Sequence, residues 1–182
     1  MNAREILKPL VLAVDMDEVL ADSIGLILEQ YNKAYHTTWS KFDLFGKTVY
    51  DCFPPSHIPF IKQQQNSEGF YQEVSVIDGA QEGIAMLSKK YDIYIVSAAL
   101  EFPNSLASRC AFIEKNFPEI TLKKLIFCAK KSLIKADYIL DDMPENLIEF
   151  GSRGFLFTAY HNATIDYPNR LNSWEEVVAK FG

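Results

Sequence analysis

The feature that most constrains this chain is a set of five short apolar runs, each broken off by polar residues. Leu10-Val11-Leu12-Ala13-Val14 stops at Asp15, Tyr91-Asp92-Ile93-Tyr94-Ile95-Val96 at Ser97, and Tyr138-Ile139-Leu140 at Asp141-Asp142. Leu125-Ile126-Phe127-Cys128 and Phe155-Leu156-Phe157-Thr158 complete the set. Such runs are too short for helices and read as buried strands. Helical patterns lie between them. Asp78 is placed to cap a helix through Tyr91, with Ile84 and Leu87 on one face. Pro103 suits a first helical position, followed by the stripe Leu106, Cys110, Ile113, Phe117 and a stop at Pro118. Pro144 opens a helix carrying Leu147, Ile148 and Phe150, closed by Gly151. Ser173 and Glu176 form a capping box for Trp174 to Phe181. Nearly continuous apolar strands alternating with helices imply an α/β fold: a Rossmann-like parallel five-stranded sheet with helices on both faces.

Length then locates an insertion. At roughly 150 residues per domain, 182 residues make one domain with something added. The first two strands are much further apart than one crossover helix requires. Residues 22–75 are therefore expected to form a small helical cap inserted after the first strand, over a core of residues 1–21 and 76–182. The insertion opens with Ile24, Leu28, Tyr31 and Tyr35 on one helical stripe and is rich in aromatics.

In a parallel sheet the carboxyl ends of the strands share one edge, where ligands sit. Asp15 and Asp17, Ser97, Lys131 and Asp141-Asp142 thus converge. Several carboxylates this close raise one another's pKa and require a cation. Lys131 supplies one charge, and Mg²⁺, a hard ion that prefers oxygen ligands, is the natural remainder. Singly, each element has an ordinary reading as loop solvation, turn chemistry or a charged face, Lys131 lying in the basic run Lys123, Lys124, Lys130, Lys131, Lys135. The information is in the ordered conjunction D-x-D, S, K, D-D.

With 18 basic against 24 acidic side chains the net charge is −6, which disfavours nucleic-acid polymers and anionic membranes as partners. A single small phosphorylated ligand remains compatible, because a metal and Lys131 reverse the local sign. Cys52, Cys110 and Cys128 form no C-x-x-C pair and fit reduced thiols. Met1-Asn2-Ala3-Arg4-Glu5 leads into no cleavage site, and no 18-residue apolar run occurs, so a cytoplasmic protein is expected. A homodimer is compatible with all of this.

The ordered set resembles the haloacid dehalogenase superfamily of phosphohydrolases. Asp15-Met16-Asp17-Glu18-Val19-Leu20-Ala21-Asp22 with Lys131-Ser132-Leu133-Ile134-Lys135-Ala136-Asp137-Tyr138-Ile139-Leu140-Asp141-Asp142 is similar to the 5′(3′)-deoxyribonucleotidase family. So is the stretch from Phe70-Tyr71 to Gly79-Ala80, where the chain returns to the core. The resemblance implies Mg²⁺-dependent hydrolysis of (deoxy)ribonucleoside monophosphates, with Asp15 the nucleophile that becomes an aspartyl-phosphate. Asp17 would protonate the leaving sugar oxygen and then activate water. The metal ligands would be Asp15, Asp142 and the Asp17 backbone carbonyl, with Asp141 orienting a metal-bound water or Lys131, or serving as an alternative ligand. Ser97 and Lys131 would bind the phosphate. Among the insertion's aromatics, Trp39, Phe45 and Phe70 are candidates for stacking on the base. The chain departs from the family pattern at three places: Glu18 stands for a common Gly, Ser23 for a common aromatic, and Ala98-Ala99 for a Ser-Pro pair.

Three alternatives stay open on the residues alone. The same chemistry could serve another small phosphate ester. A phosphoacceptor receiver domain shares an acidic pair, an acceptor Asp, a Ser or Thr and a Lys, but is shorter, has no cap and carries its acidic pair on the first strand. A phosphate-binding protein without turnover would have no need of Asp17.

Overall fold

The computed structural model describes residues 8–182; the expectation about Met1 to Glu5 lies outside the described residues. A sheet of six strands runs through the core: β1 (Val11–Asp15), β4 (Asp92–Ser97), β5 (Leu125–Phe127), β6 (Tyr138–Asp141), β7 (Gly154–Phe157) and β8 (Arg170–Leu171). Their order is β5-β4-β1-β6-β7-β8 and every pairing is parallel. All five expected strands form, and β8 makes the sheet one strand wider than expected. It contributes only two residues at the edge and carries no apolar run. Main-chain bonds hold it to β7, with Leu156 N–H donating to Asn169 O and Thr158 N–H to Leu171 O, both 2.9 Å.

β1 is central, and Leu12, Ala13 and Val14 are fully buried, as a strand covered on both faces requires. From β1 the chain moves outward through β4 and β5, then crosses back to β6, β7 and β8. The reversal creates a crevice at the carboxyl ends of β1 and β6.

The helices refine the expected boundaries. α5 (Ala80–Leu87) is capped by Gly79, which is left-handed at φ +76°, so Asp78 is not the cap and the helix ends before Tyr91. Pro103 opens a 3₁₀ turn, after which α6 (Leu106–Asn116) begins. Its buried face is Ser108, Arg109, Phe112 and Ile113; Leu106 and Cys110 are only half-buried. α7 (Pro144–Leu147) is a single turn, and Ile148 beyond it faces solvent at 74% exposure. α8 (Trp174–Phe181) has the expected limits, but only half of its capping box is made: Ser173 Oγ accepts from Glu176 N–H, while the Glu176 carboxylate accepts from Asn172 N–H.

The stretch between β2 (Ala21–Asp22) and β3 (Ser75–Val76) is wholly helical and turn structure: α1 (Ser23–Tyr35), α2 (Val49–Cys52), α3 (Ile58–Gln65) and α4 (Phe70–Glu73) with short 3₁₀ turns. β2 and β3 pair antiparallel, Ala21 with Val76 and Asp22 with Ser75, so the chain leaves and re-enters the core side by side. Its aromatics pack largely on one another. Tyr31 stacks on Phe53 at 3.9 Å, and Trp39 meets the edge of Phe53 at 5.0 Å.

Candidate active site

Strand register sets up the site. Asp15 ends β1 opposite Val96 of β4, so Ser97 lies one residue past it, and Val14 pairs with Leu140 of β6, which places Asp141 and Asp142 just beyond. Lys131 reaches the same place from a 3₁₀ turn. Its aliphatic stem and ammonium are buried, whereas Lys123, Lys130 and Lys135 of the same basic run are exposed. One lysine of the run has thus left the solvated face for the interior.

That lysine is held by two carboxylates: Nζ lies 2.5 Å from Asp15 Oδ1 and 2.7 Å from Asp141 Oδ2. Burial at this depth requires such pairing. Asp141 is further engaged through Oδ1, which accepts from Met143 N–H at 2.9 Å and Asn146 Nδ2 at 3.0 Å. It therefore orients Lys131. Asp142 completes the group, and one carboxylate oxygen from each of Asp15, Asp141 and Asp142 lies within 4.8 Å of the others. Burial, partly offset by Lys131, pushes the Asp15 carboxyl up to about 7. Burial and the neighbouring Asp15 carry Asp142 well above the usual carboxylate range. Burial also holds the nearby His161 imidazole below its usual range. Three carboxyl groups thus face one ammonium, and the donors are hard oxygens. The set fits a divalent cation such as Mg²⁺.

Asp17 is held by different partners. Arg109 Nη1 donates to Asp17 Oδ2 at 2.6 Å, and Tyr71 Oη donates to Asp17 Oδ1. Burial raises the Asp17 carboxyl, but the Arg109 guanidinium and the Tyr71 hydroxyl outweigh it and bring it below the usual range. Arg109 is itself 3% exposed, lies 4.1 Å from the Tyr71 ring centroid and donates through Nε to Ser105 Oγ. Arg109 was not among the residues the sequence singled out, and Tyr71 was named only as part of the stretch that returns to the core. The available signal was an arginine four residues before Ile113, on the helix face that the fold buries.

Ser97 is fully buried, and its Oγ accepts from Arg109 Nη1 at 3.0 Å. The cavity over the acidic cluster, about 320 Å³, is walled by Asp15, Asp17, Lys131, Asp142 and Arg109, but not by Ser97. None of the three aromatics proposed for base stacking lines it either. Phe70 is 2% exposed and packs on Tyr71, Trp39 packs on Phe53, and Phe45 faces solvent. The aromatic wall is instead Tyr50, Phe102 and Tyr160.

Glu18 sits in the turn after β1. Its φ of +56° is the left-handed conformation that a glycine would adopt. The buried carboxylate accepts from Ile24 N–H at 2.8 Å, at the start of α1.

Comparison with known proteins bears on this geometry. Residues 8–181 match the model of the family described as 5′ nucleotidase, deoxy (pyrimidine), cytosolic type C protein. The chain belongs to this family. Its members are phosphoric monoester hydrolases. The 5′(3′)-deoxyribonucleotidase of Bacillus subtilis is 32% identical over 179 residues, covering 93% of this chain and 97% of that one. A Staphylococcus aureus relative that bears the same name provisionally is 34% identical over 170 residues, covering 93% and 94%. A haloacid dehalogenase-like family hydrolase from Streptococcus pneumoniae shares the fold, with a TM-score of 0.62 at 14% identity over 96% of this chain and 99% of that one. The nucleotidase relationship and the haloacid dehalogenase-like fold therefore agree with the resemblance read from D-x-D, S, K and D-D.

Proposed function

We propose that this protein is a Mg²⁺-dependent phosphomonoesterase that hydrolyses deoxyribonucleoside monophosphates through an aspartyl-phosphate on Asp15. The observation that carries this reading is the floor of the cavity, where Asp15 lies against Lys131 and beside Asp142 while Asp17 stands two residues along. Residues 1–21 and 76–182 act as the catalytic core, and residues 22–75 as a cap whose Tyr50, Val49 and Gln65 wall the cavity from the opposite side.

Asp15 and Asp142, with the Asp17 main-chain carbonyl that the family resemblance implies, would hold Mg²⁺. Bound there, the ion neutralises acidic charge and polarises the phosphoryl group. The Asp15 carboxylate attacks phosphorus, the bond to the leaving sugar oxygen breaks, and Lys131 offsets the charge that develops on the transferring group. Asp17 manages the protons: it supplies one to the leaving oxygen and later takes one from the water that attacks the aspartyl-phosphate. Both Asp17 oxygens accept hydrogen bonds in this structure, which favours its proton-accepting form. Donation requires it to come off Arg109. Tyr50, Phe102 and Tyr160 offer a flat, largely apolar wall to a base. Three free cysteines support assignment to the cytoplasm.

A panel of phosphate esters tests the reading, covering 5′ against 3′ phosphates, deoxy against ribo sugars and each base, with Mg²⁺ or with chelator. Release of phosphate from at least one deoxynucleoside monophosphate, dependent on the metal, is expected. Inactivity across the panel overturns the reading.

A further inference from the structure

The geometry points to Arg109 as a phosphate-binding residue: its guanidinium takes the phosphoryl group of the substrate, or the product phosphate, in exchange for the Asp17 carboxylate. This deepens the phosphomonoesterase reading and rests on it.

Three observations meet here. First, the residue expected to donate to the phosphate, Ser97, is fully buried and does not reach the cavity wall, whereas Arg109 does. Second, Ser97 is bonded to Arg109 itself, its Oγ accepting from Nη1 at 3.0 Å, so the serine helps to fix the guanidinium. Ser105 Oγ does the same at Nε, 3.2 Å away, and the Tyr71 ring covers one face of the group. An arginine braced on three sides is pre-organised, and loses little rotamer freedom on taking a ligand. Third, its present partner at the cavity is an anion, the Asp17 carboxylate at 2.6 Å. The guanidinium gives this carboxylate a single Nη1 bond, and its planar pair of terminal nitrogens matches a phosphoryl group. A phosphate dianion arriving beside Asp15 competes for the same Nη1 donor. Capture of that donor by the phosphate releases Asp17 toward the leaving oxygen, which couples substrate binding to the readiness of the proton-transfer residue. No bond is made or broken in the exchange itself; one ion pair replaces another.

Competition of this kind leaves a signature in binding. Titrations of inorganic phosphate, with Mg²⁺ present, compare the wild type with Arg109→Met, Asp17→Asn and the double variant. Arg109→Met is expected to weaken phosphate at least tenfold, Asp17→Asn to tighten it about threefold or more, and the tightening to vanish in the Arg109→Met background. Such non-additivity is the mark of two groups sharing one partner. Arg109→Lys, which keeps the charge without the fork, is expected to weaken phosphate about threefold and covers the case in which Arg109→Met does not fold. Unchanged phosphate affinity in either Arg109 variant overturns the inference. So does an Asp17→Asn effect of equal size in both backgrounds, which would reflect only the loss of a nearby negative charge. If the wild type binds phosphate and hydrolyses an ester while Arg109 proves indifferent, this inference alone fails. If the wild type does neither, the phosphomonoesterase reading fails with it.

Discussion

Ser23 and Glu18, two of the positions at which this chain departs from its family's pattern, are hydrogen-bonded to each other, Ser23 Oγ–H donating to Glu18 Oε1 at 3.0 Å. The two departures are one structural unit. Glu18 accepts from both Ser23 and Ile24, Asp22 accepts from Gly25 N–H at 2.7 Å, and Lys41 closes the set by pairing with Asp22 at 2.5 Å. Amide groups that would be left open at the start of α1 are thereby satisfied. The acidic loop also carries a cation from the inserted segment.

Glu18 can be tested by separating its backbone from its side chain. Glu18→Ala removes the accepted bonds, worth about 1–2 kcal/mol for a helix cap, and leaves a Cβ in the left-handed region. Glu18→Gly removes the same bonds but relieves about 1 kcal/mol of backbone strain. Both variants are expected to melt below the wild type, with the alanine variant roughly 2–4 °C below the glycine variant. Thermal unfolding followed by circular dichroism checks the order; an alanine variant at or above the glycine variant contradicts it.

The acidic cluster predicts a linked dependence on pH and metal. Burial, partly offset by Lys131, raises Asp15 from 3.8 to about 7. A raised carboxyl contributes stability that is fully present below its unfolded value and is lost as pH rises through the folded one. In chelator, therefore, the wild type should lose ground to Asp15→Asn between pH 4 and 8, ending about 1–3 kcal/mol less stable than the variant at pH 8. Mg²⁺ should restore the wild type at pH 8 far more than at pH 5, and should restore the variant less. Calorimetric melting at the two pH values, with and without metal, reads both effects. A pH-independent gap between the two proteins speaks against the buried acid cluster.

Gly83 on α5 tests how the last helix packs on the core. A Cβ at Gly83 would lie 2.2 Å from Trp174 Cε3, and Trp174 is held in place by donating Nε1–H to Val19 O at 2.8 Å. The ring cannot shift without losing that bond. Gly83→Ala should therefore destabilise by about 1–3 kcal/mol, the range for overpacking. An unchanged denaturant midpoint would show that the helix can move away freely.

The aromatic residues of the insertion divide by role. Phe70→Ala should cost about 3–5 kcal/mol of stability, as for a buried ring in a core, with no selective effect on nucleotides. Tyr50→Ala should unfold little, yet raise KM for nucleotides about fivefold or more relative to p-nitrophenyl phosphate, a loss within the roughly 1–3 kcal/mol of base–aromatic stacking. Stability and steady-state kinetics on both variants separate the two; equal KM changes on both esters for Tyr50→Ala place that ring outside the base site.

Much of this architecture was legible because two different signals coincide at the strand ends. Apolar runs announce buried strands, and Asp15, Ser97 and Asp141-Asp142 stand where those strands stop, so the topology alone brings them to one edge. Arg109 was hidden for the opposite reason. The stripe Leu106, Cys110, Ile113, Phe117 follows apolar side chains, whereas the helix turns so that Arg109 and Ser108 face inward with Phe112 and Ile113. A buried arginine with partners from the turn after β1, from β4 and from α4 leaves no trace in a hydrophobicity pattern. β8 was missed because two residues cannot show a period. The aromatics misled because composition says that rings are present but not which way they point. Phe70 and Trp39 pack against neighbouring rings, whereas Tyr50 reaches the cavity.

The central claim is that Asp15 carries the phosphoryl group. A single turnover with enzyme in excess over a deoxynucleoside monophosphate and Mg²⁺, quenched and reduced with borohydride, converts an aspartyl-phosphate to homoserine at the modified position. Peptide mass spectrometry should find homoserine at residue 15 and at no other aspartate, and none in a sample without substrate. Turnover that leaves residue 15 unmodified while another aspartate is converted would contradict the account.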